Sequence, residues 1–229
     1  MTIDSANLIT LAIGARKDAL GLTRLQDRNL TPEGLQARQR HEWRAIQARL
    51  TAALPAEPVF PDRGPVLDAL TARTADQIAV VGHQAAKVAA ILASGRLLPA
   101  VIATADRDRL AAIYDGLETM PEVLEARDPD SVLGALEGMI WDRLAQVDED
   151  AKRITAEEDA VRPAQAWRAI LSGLAATGEL DFEGLTLLQQ SDPAAFDLLI
   201  DGDAVAAPAP ESGSIPRLIE SLEREPVDA

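Results

Sequence analysis

Apolar residues recur every three to four positions along most of this chain of 229 residues, the spacing that places them on one face of an α-helix. Alternation of apolar and polar residues, the pattern of a half-buried strand, never extends beyond four positions. The most strand-like run, QIAVVG, lies inside a helical period. The pattern therefore predicts an all-α protein with an N-terminal helical hairpin, a multi-helix bundle and a flexible tail that ends in a short amphipathic helix.

Proline-rich and low-complexity segments mark the predicted domain boundaries. Four prolines fall within residues 55–65. Because proline lacks a backbone donor and disfavours a helical predecessor, this segment predicts a linker. The predicted organisation is a hairpin at residues 1–54, the Pro-rich linker at 55–65, a helical bundle at 66–201, a flexible linker at 202–214 and an amphipathic peptide at 215–229.

The longest uninterrupted helical pattern covers residues 66–94, and two further long helices are predicted at 129–159 and 163–177. The apolar face of the first comprises Leu67, Leu70, Ile78, Val81, Ala85, Val88 and Leu92. Many remaining positions hold small residues, which would let neighbouring helices approach closely: Ala79, Gly82, Ala86, Ala89, Ala90 and Ala93.

A proline at the first helical position recurs at several predicted helix starts. The segments are Thr31-Pro32-Glu33, Asp128-Pro129-Asp130, Asp192-Pro193 and Met120-Pro121-Glu122. The missing proline amide is harmless there, since the first amides of a helix have no intrahelical partner. In three of the four segments the preceding Thr or Asp can accept hydrogen bonds from those amides. The repetition indicates helix capping at Thr31 rather than a catalytic motif.

The segment that ends the sequence regains helical periodicity and carries the first predicted binding residues. Ile215, Leu218, Ile219 and Leu222 fall on one face of a helix that is too short to be stable alone in water. Such a helix needs a surface to dock onto. We therefore predict that these four residues insert into a groove on a partner protein or on a second copy of the chain.

Composition and charge exclude several classes of function. The chain has no cysteine, so disulfides, thiolate catalysis and cysteine-based zinc sites are excluded. The net charge of −15 is the wrong sign for a uniformly basic nucleic-acid-binding protein, and we expect no direct contact with nucleic acid. The sequence shows neither a basic leader nor an apolar run long enough to span a membrane, so we expect a cytoplasmic protein without membrane contact.

Charge is distributed unevenly, and the basic part carries the second set of candidate binding residues. Residues 1–53 hold eight Arg or Lys against five acids, whereas residues 178–229 hold two against twelve. Arg38, Arg40 and Arg44 flank Trp43 in the basic part. They would grip phosphates or an acidic protein surface, or else they form a solvated helix face beside a buried tryptophan. Both interpretations remain open from the sequence.

Candidate catalytic and metal-binding residues are sparse. His41 and His83 have no nucleophile or metal-ligand partner at a useful spacing. The carboxylates of residues 148–153 and 157–161 could bind a divalent ion, but they lack the spacing of an EF-hand loop. No phosphate-binding loop, dinucleotide fingerprint, nucleophile elbow or HExxH motif occurs. We therefore expect a non-enzymatic protein without cofactors.

Residues 16–50, with RNLTPEGLQARQR as their central run, resemble N-terminal segments of small helical structural and assembly proteins of tailed bacteriophages from GC-rich hosts. The resemblance implies a component of the virion or of its morphogenesis, located in the host cytoplasm or the particle. It implies particle proteins or further copies of the chain as partners, with homo-oligomerisation left open, and no catalytic residues. The alternative hypothesis is an acidic, DNA-mimic-like inhibitor or adaptor that binds a basic protein.

Overall fold

The computed structural model describes residues 4–206 and 214–223, and within these ranges it is all-α without strands. The helices are α1 (Ser5–Thr23), α2 (Pro32–Ala52), α3 (Gly64–Asp68), α4 (Ala75–Ala93), α5 (Leu98–Ile102), α6 (Arg107–Gly116), α7 (Pro121–Leu124), α8 (Pro129–Val147), α9 (Glu149–Thr177), α10 (Phe182–Ser191), α11 (Pro193–Ala206) and α12 (Ser214–Glu223). Among the described helices, none combines the length and the hydropathy that crossing a membrane requires.

The predicted helix starts are confirmed, because their capping is local chemistry. Thr31 Oγ1 accepts a hydrogen bond from Gly34 N at 3.2 Å at the start of α2. Asp128 and Asp192 accept from the third helical residue of α8 and α11 at 3.3 and 3.1 Å. At Met120 no side-chain cap forms, and α7 is a single turn.

Four predicted helix boundaries are wrong. The predicted helix at 129–159 is divided between α8 and α9, because Asp148 ends α8 and its side chain accepts hydrogen bonds from the first amides of α9. The pattern at residues 66–94 is divided between α3 and α4, because Thr74 and Gln77 form a capping box that starts α4 anew. Pro163 lies inside α9 instead of opening a helix. The helix continues through it because the turn that follows buries Trp167 completely. Residues 202–206, predicted to be linker, extend α11, since Asp203 pairs with Arg16 of α1; residues 207–213 lie outside the described residues.

Contacts divide the chain into two compact units, one of residues 1–59 with 159–229 and one of residues 60–158. This grouping differs from the predicted boundaries, since the predicted bundle at 66–201 contributes to both. In the first unit the helices at the two ends of the sequence share one core. Its most buried large side chains are Leu50, Trp167, Ile170, Leu171, Leu174, Leu188 and Leu199. The first two helices therefore bury their apolar faces against α9 to α12 as well as against each other.

The second unit encloses its own core, built from α3 to α8 and the start of α9. Its most buried large side chains are Leu98, Ile102, Leu110, Ile113, Leu117, Ile140 and Leu144. Aliphatic residues dominate this core, as a chain with only 3% aromatic residues requires. Beside them Trp141 is 3% exposed and is the tryptophan of this unit.

An ion pair with a buried carboxylate holds the start of α3 within the second unit. Glu158 is 4% exposed, and its two carboxylate oxygens accept hydrogen bonds from Arg63 Nε and an Arg63 Nη at 2.5 and 2.6 Å. The guanidinium carbon of Arg63 lies 4.5 Å from the centre of the Trp141 ring. Hydrogen bonding to Glu158 raises the pKa of Arg63 and outweighs the opposing effect of burial. The fork of two hydrogen bonds satisfies a carboxylate that water does not reach.

Replacing Glu158 with alanine tests this pair. E158A leaves the Arg63 guanidinium without its acceptor, so we expect the free energy of unfolding to fall by about 2 kcal/mol in a urea titration. Glu157 offers a matched control, since it is the neighbouring glutamate and its pair with Arg153 is exposed. E157A should leave the unfolding midpoint unchanged. Equal effects of the two substitutions would contradict the assigned role of Glu158.

Candidate interaction surfaces

The predicted partner-binding residues of the last helix are covered by the chain itself. Ile215, Ile219 and Leu222 of α12 are between 1% and 4% exposed and belong to the core of the first unit. Leu218 is partly buried against the same core. The predicted amphipathic helix is therefore present, but its apolar face is docked in cis on α1 and α2.

Gly178 shapes the surface on which α12 docks. This residue ends α9 with φ of 71°, a left-handed conformation that favours glycine, and its amide donates to the Leu174 carbonyl at 2.9 Å. A Cβ at this position would overlap with Ile215 Cγ2. The glycine therefore does two things, since it terminates α9 and leaves room for the first buried side chain of α12.

The structure places Arg38 and Arg40, two of the three candidate arginines, on different sides of α2. Arg40 Nε donates to the Leu222 carbonyl at 2.8 Å and so stabilises the C-terminal turn of α12. Arg38 lies elsewhere on α2, 3.3 Å from Asp27 and 3.6 Å from Glu42. Arg44 is exposed. Arg44 lies one turn after Arg40 on the same side of α2. Trp43 is buried, as the second interpretation of this helix expects.

Two polar contacts in the first unit join arginines of the basic part of the sequence to its acidic part. One is the contact of Arg40 with α12. The other is the pair of Arg16 with Asp203, whose side chains are only 16% and 14% exposed. Burial lowers the pKa of Arg16, and the charge of Glu179 opposes that shift. Part of the N-terminal positive charge thus serves contacts inside the chain.

The candidate carboxylates pair with arginines. Asp148 accepts from Arg107 Nε at 2.8 Å, and Arg153 reaches Asp150 and Glu157, each at 3.2 Å. Together with neighbouring residues of α3 they line an open cleft of about 400 Å³ in the second unit. Within the described ranges no three His, Asp or Glu side chains come together as metal ligands. Both histidines are exposed on their helices.

Asp148 follows the last residue of α8 and connects this helix to α6 and α9. Its side chain is 14% exposed and accepts a hydrogen bond from Arg107 of α6. It also accepts hydrogen bonds from the backbone amides of Asp150 and Ala151, in the first turn of α9. Burial alone would raise the pKa of Asp148. The hydrogen bonds from Ala151 and Arg107 and the charge of Arg107 outweigh it, so the pKa lies below its usual value.

The outer face of α4 is the surface that sequence reasoning missed. Of its 19 residues only Val88 is buried, on the side that packs against α5 and α6. On the opposite side, six small residues are exposed: Ala75, Ala79, Gly82, Ala86, Ala90 and Ala93. Ile78, predicted on the buried face, is 58% exposed, and Val80 is 44% exposed. No described helix of the chain covers this outer face of α4.

Comparison of the chain with protein-family models, with curated proteins and with solved structures finds no match.

The lowered pKa of Asp148 predicts a pH dependence of stability. Because the ionised form is favoured in the folded state, Asp148 stabilises the fold above the pKa of an unfolded aspartate, about 3.9, and this contribution is lost as pH falls through its folded pKa. We expect wild type to unfold at a higher temperature than D148N at pH 6. The difference should shrink toward pH 3 in melts followed by circular dichroism. A difference independent of pH would contradict this role of the Asp148 charge.

The docking of α12 on Gly178 can be tested with a matched pair of glycines. G178A forces a side chain into a left-handed residue and also displaces Ile215, whereas G95A imposes only the backbone strain, since a methyl group at Gly95 meets open space. We expect G178A to reduce the free energy of unfolding more than G95A does. In a chain truncated after residue 206, G178A should cost only as much as G95A. An equal cost of G178A in the full and truncated chains would overturn this account.

Proposed function

We propose that the chain is a non-enzymatic protein–protein interaction protein that acts in assembly. The observation that carries the proposal is the outer face of α4, an apolar surface nearly the length of a 19-residue helix without a covering neighbour. Extended apolar patches on a folded protein mark sites of association, because removing apolar surface from water lowers the free energy of the system. We expect a partner protein to bind at this outer face of α4.

The charged groups support an interaction role over catalysis. Arg63, Arg107 and Arg153 are each engaged with carboxylates of their own unit. These pairs neutralise the residues that would otherwise polarise or bind a substrate.

The predicted role of α12 in partner binding takes a narrower form. Ile215, Ile219 and Leu222 can reach a partner only after leaving the core of the first unit. Their exposure would uncover apolar surface on α1 and α2 at the same time. In this proposal α12 stays docked while the outer face of α4 is engaged.

The more specific form of the proposal is a structural or morphogenesis component of a tailed-phage particle. Its support is the resemblance carried by residues 16–50 and the all-α architecture. A component of this kind works through contacts alone, which suits a chain whose conspicuous surface is an apolar helix face.

A charge placed in the middle of the outer face tests the proposed function. A86E puts a carboxylate at the centre of the apolar stripe, so we expect it to abolish partner capture by the tagged full-length chain. Partners are identified by mass spectrometry of extracts from cells or particles that contain the protein. A135E is the matched control, since Ala135 is an exposed alanine in the interior of α8.

Comparison of A86E with the control A135E shows which results would contradict the proposed function. Both substitutions are on the surface and should leave thermal stability nearly unchanged. Capture that survives A86E argues against the outer face of α4 as the interaction surface. If that surviving capture also weakens steeply with salt, the acidic inhibitor or adaptor hypothesis is favoured.

A further inference from the structure

We infer that the groove between α1 and α2 binds the exposed side of α11 from a second copy of the chain, so that copies associate head to tail. The groove and the exposed side of α11 both belong to the first unit. Their contact uses no residue of α4 and goes beyond the proposed function.

An open groove of about 630 Å³ lies between α1 and α2. The buried residues that line it, Leu22 and Ile46, are 7% and 5% exposed, so its base is apolar. Gly21 and Ala45 also line the groove and bring no long side chain into it. The groove therefore has room for an apolar side chain of another molecule.

The charged residues that line this groove carry a net positive charge. Three bases stand against two acids, namely Lys17, Arg38 and Arg49 against Asp18 and Glu42. The pairs of Arg49 with Asp18 and of Arg38 with Glu42 are about half exposed, and such pairs exchange partners at little cost. Lys17 takes part in no ion pair within the described residues. The groove therefore favours an acidic ligand.

The exposed side of α11 has the complementary chemistry. Leu198 is 62% exposed, and Asp197 and Asp201 are exposed as well. Asp201 follows Leu198 by three residues and Asp197 by four, so the three side chains share one side of the helix. Residues 178–206 contain seven acids and no Lys or Arg. What α11 exposes is thus an apolar side chain flanked by two carboxylates.

The groove faces away from the helices that pack beside it in the same chain. On α1, Arg16 pairs with α11 and Asp18 lines the groove. On α2, Arg40 contacts α12 and Arg38 lines the groove. Residues two positions apart are separated by about 200° around a helix. The groove is therefore on the side of the α1–α2 pair that α11 and α12 leave open.

The exposed side of α11 cannot reach the groove of its own chain. The side of α11 that packs on α1 carries Gly202, where a Cβ would overlap with Ile13, and Asp203, which pairs with Arg16. The exposed side is turned away from α1, and the groove opens on the other side of that helix. The two complementary surfaces can therefore meet only between two copies.

Charge sets the position of α11 in the groove. Lys17 adjoins Asp18, which is 2.6 Å from Arg49, so these two bases lie at the same end of the groove. Leu198 of the second copy then covers the apolar base while Asp197 and Asp201 of that copy pair with Lys17 and Arg49. The apolar side chain contributes affinity, and the carboxylates fix its orientation.

A contact between two different surfaces leaves one of each unused at the ends of a pair. Further copies can therefore add at both ends, as in any head-to-tail association. We expect the wild-type chain to grow beyond dimers as its concentration rises. The growth should weaken with added salt, because the paired charges are exposed.

One substitution on each surface tests the contact. L198E replaces the apolar side chain with a third carboxylate, and A45E places a carboxylate in the groove, one turn before Arg49. Each should lower the association constant of the full-length protein on the order of 100-fold in sedimentation velocity, since like charges then meet. Matched controls are L124E, at a leucine of α7 that is 66% exposed, and A48E, at an exposed alanine of α2 outside the groove. Both controls should associate as wild type does.

Mixing the two variants tests the head-to-tail geometry. L198E keeps an intact groove, and A45E keeps an intact α11. An equimolar mixture should therefore form a one-to-one dimer that grows no further, although each variant alone stays monomeric. Melts followed by circular dichroism check that both variants are folded, and D197K, which leaves Leu198 in place, should also weaken association.

Several results would overturn this contact. They are a wild-type chain that stays monomeric or stops at a dimer, association that L198E and A45E leave unchanged, and a mixture of these variants that does not pair. A86E separates the contact from the proposed function, because it should lose partner capture and still associate with itself. Capture that survives A86E would count against the proposed function alone, whereas loss of self-association in A86E would overturn the contact through α11.

Discussion

Burial of apolar side chains of one helix, α9, contributes to both cores. The first part of α9 contributes Ala151 and Ile154 to the core of the second unit, and its later turns contribute Trp167, Ile170 and Leu174 to the core of the first. Pro163 stands between these parts and removes one helical hydrogen bond. The helix tolerates the loss because apolar side chains on either side are buried, which outweighs a local penalty of about 3 kcal/mol.

The features predicted correctly from sequence are those set by neighbouring residues. Thr31, Asp128 and Asp192 cap helices through atoms three residues away, so a short pattern suffices to locate them. The continuation of α9 through Pro163 and the extension of α11 over residues 202–206 depend on contacts with distant segments. Apolar periodicity shows that a face is buried but not what covers it. The periodicity therefore predicted the helix α12 correctly and left open whether it docks in cis.

The candidate surfaces likewise include one feature that local spacing predicts and one that it does not. Arg38 and Arg40 are two residues apart, and such positions point to different sides of a helix, so their separation was foreseeable from spacing. The exposure of the outer face of α4 was not foreseeable from the sequence. Alanine is common both inside and outside proteins, so a face made of alanine and glycine carries no signal of its own burial. The larger residues Val81, Val88 and Leu92 indicated correctly which side of α4 packs inward.

The composition of the first unit from two distant parts of the chain has a consequence for biosynthesis. Residues 60–158 form a contiguous unit that can fold as soon as it leaves the ribosome, since domains generally fold as units during synthesis. The helices α1 and α2 emerge earlier but complete their core only when α9 to α12 have been made. In the interval their apolar faces are open to chaperones and to other nascent chains. The helices α1 and α2 are thus made before residues 60–158 but reach their native surroundings after them.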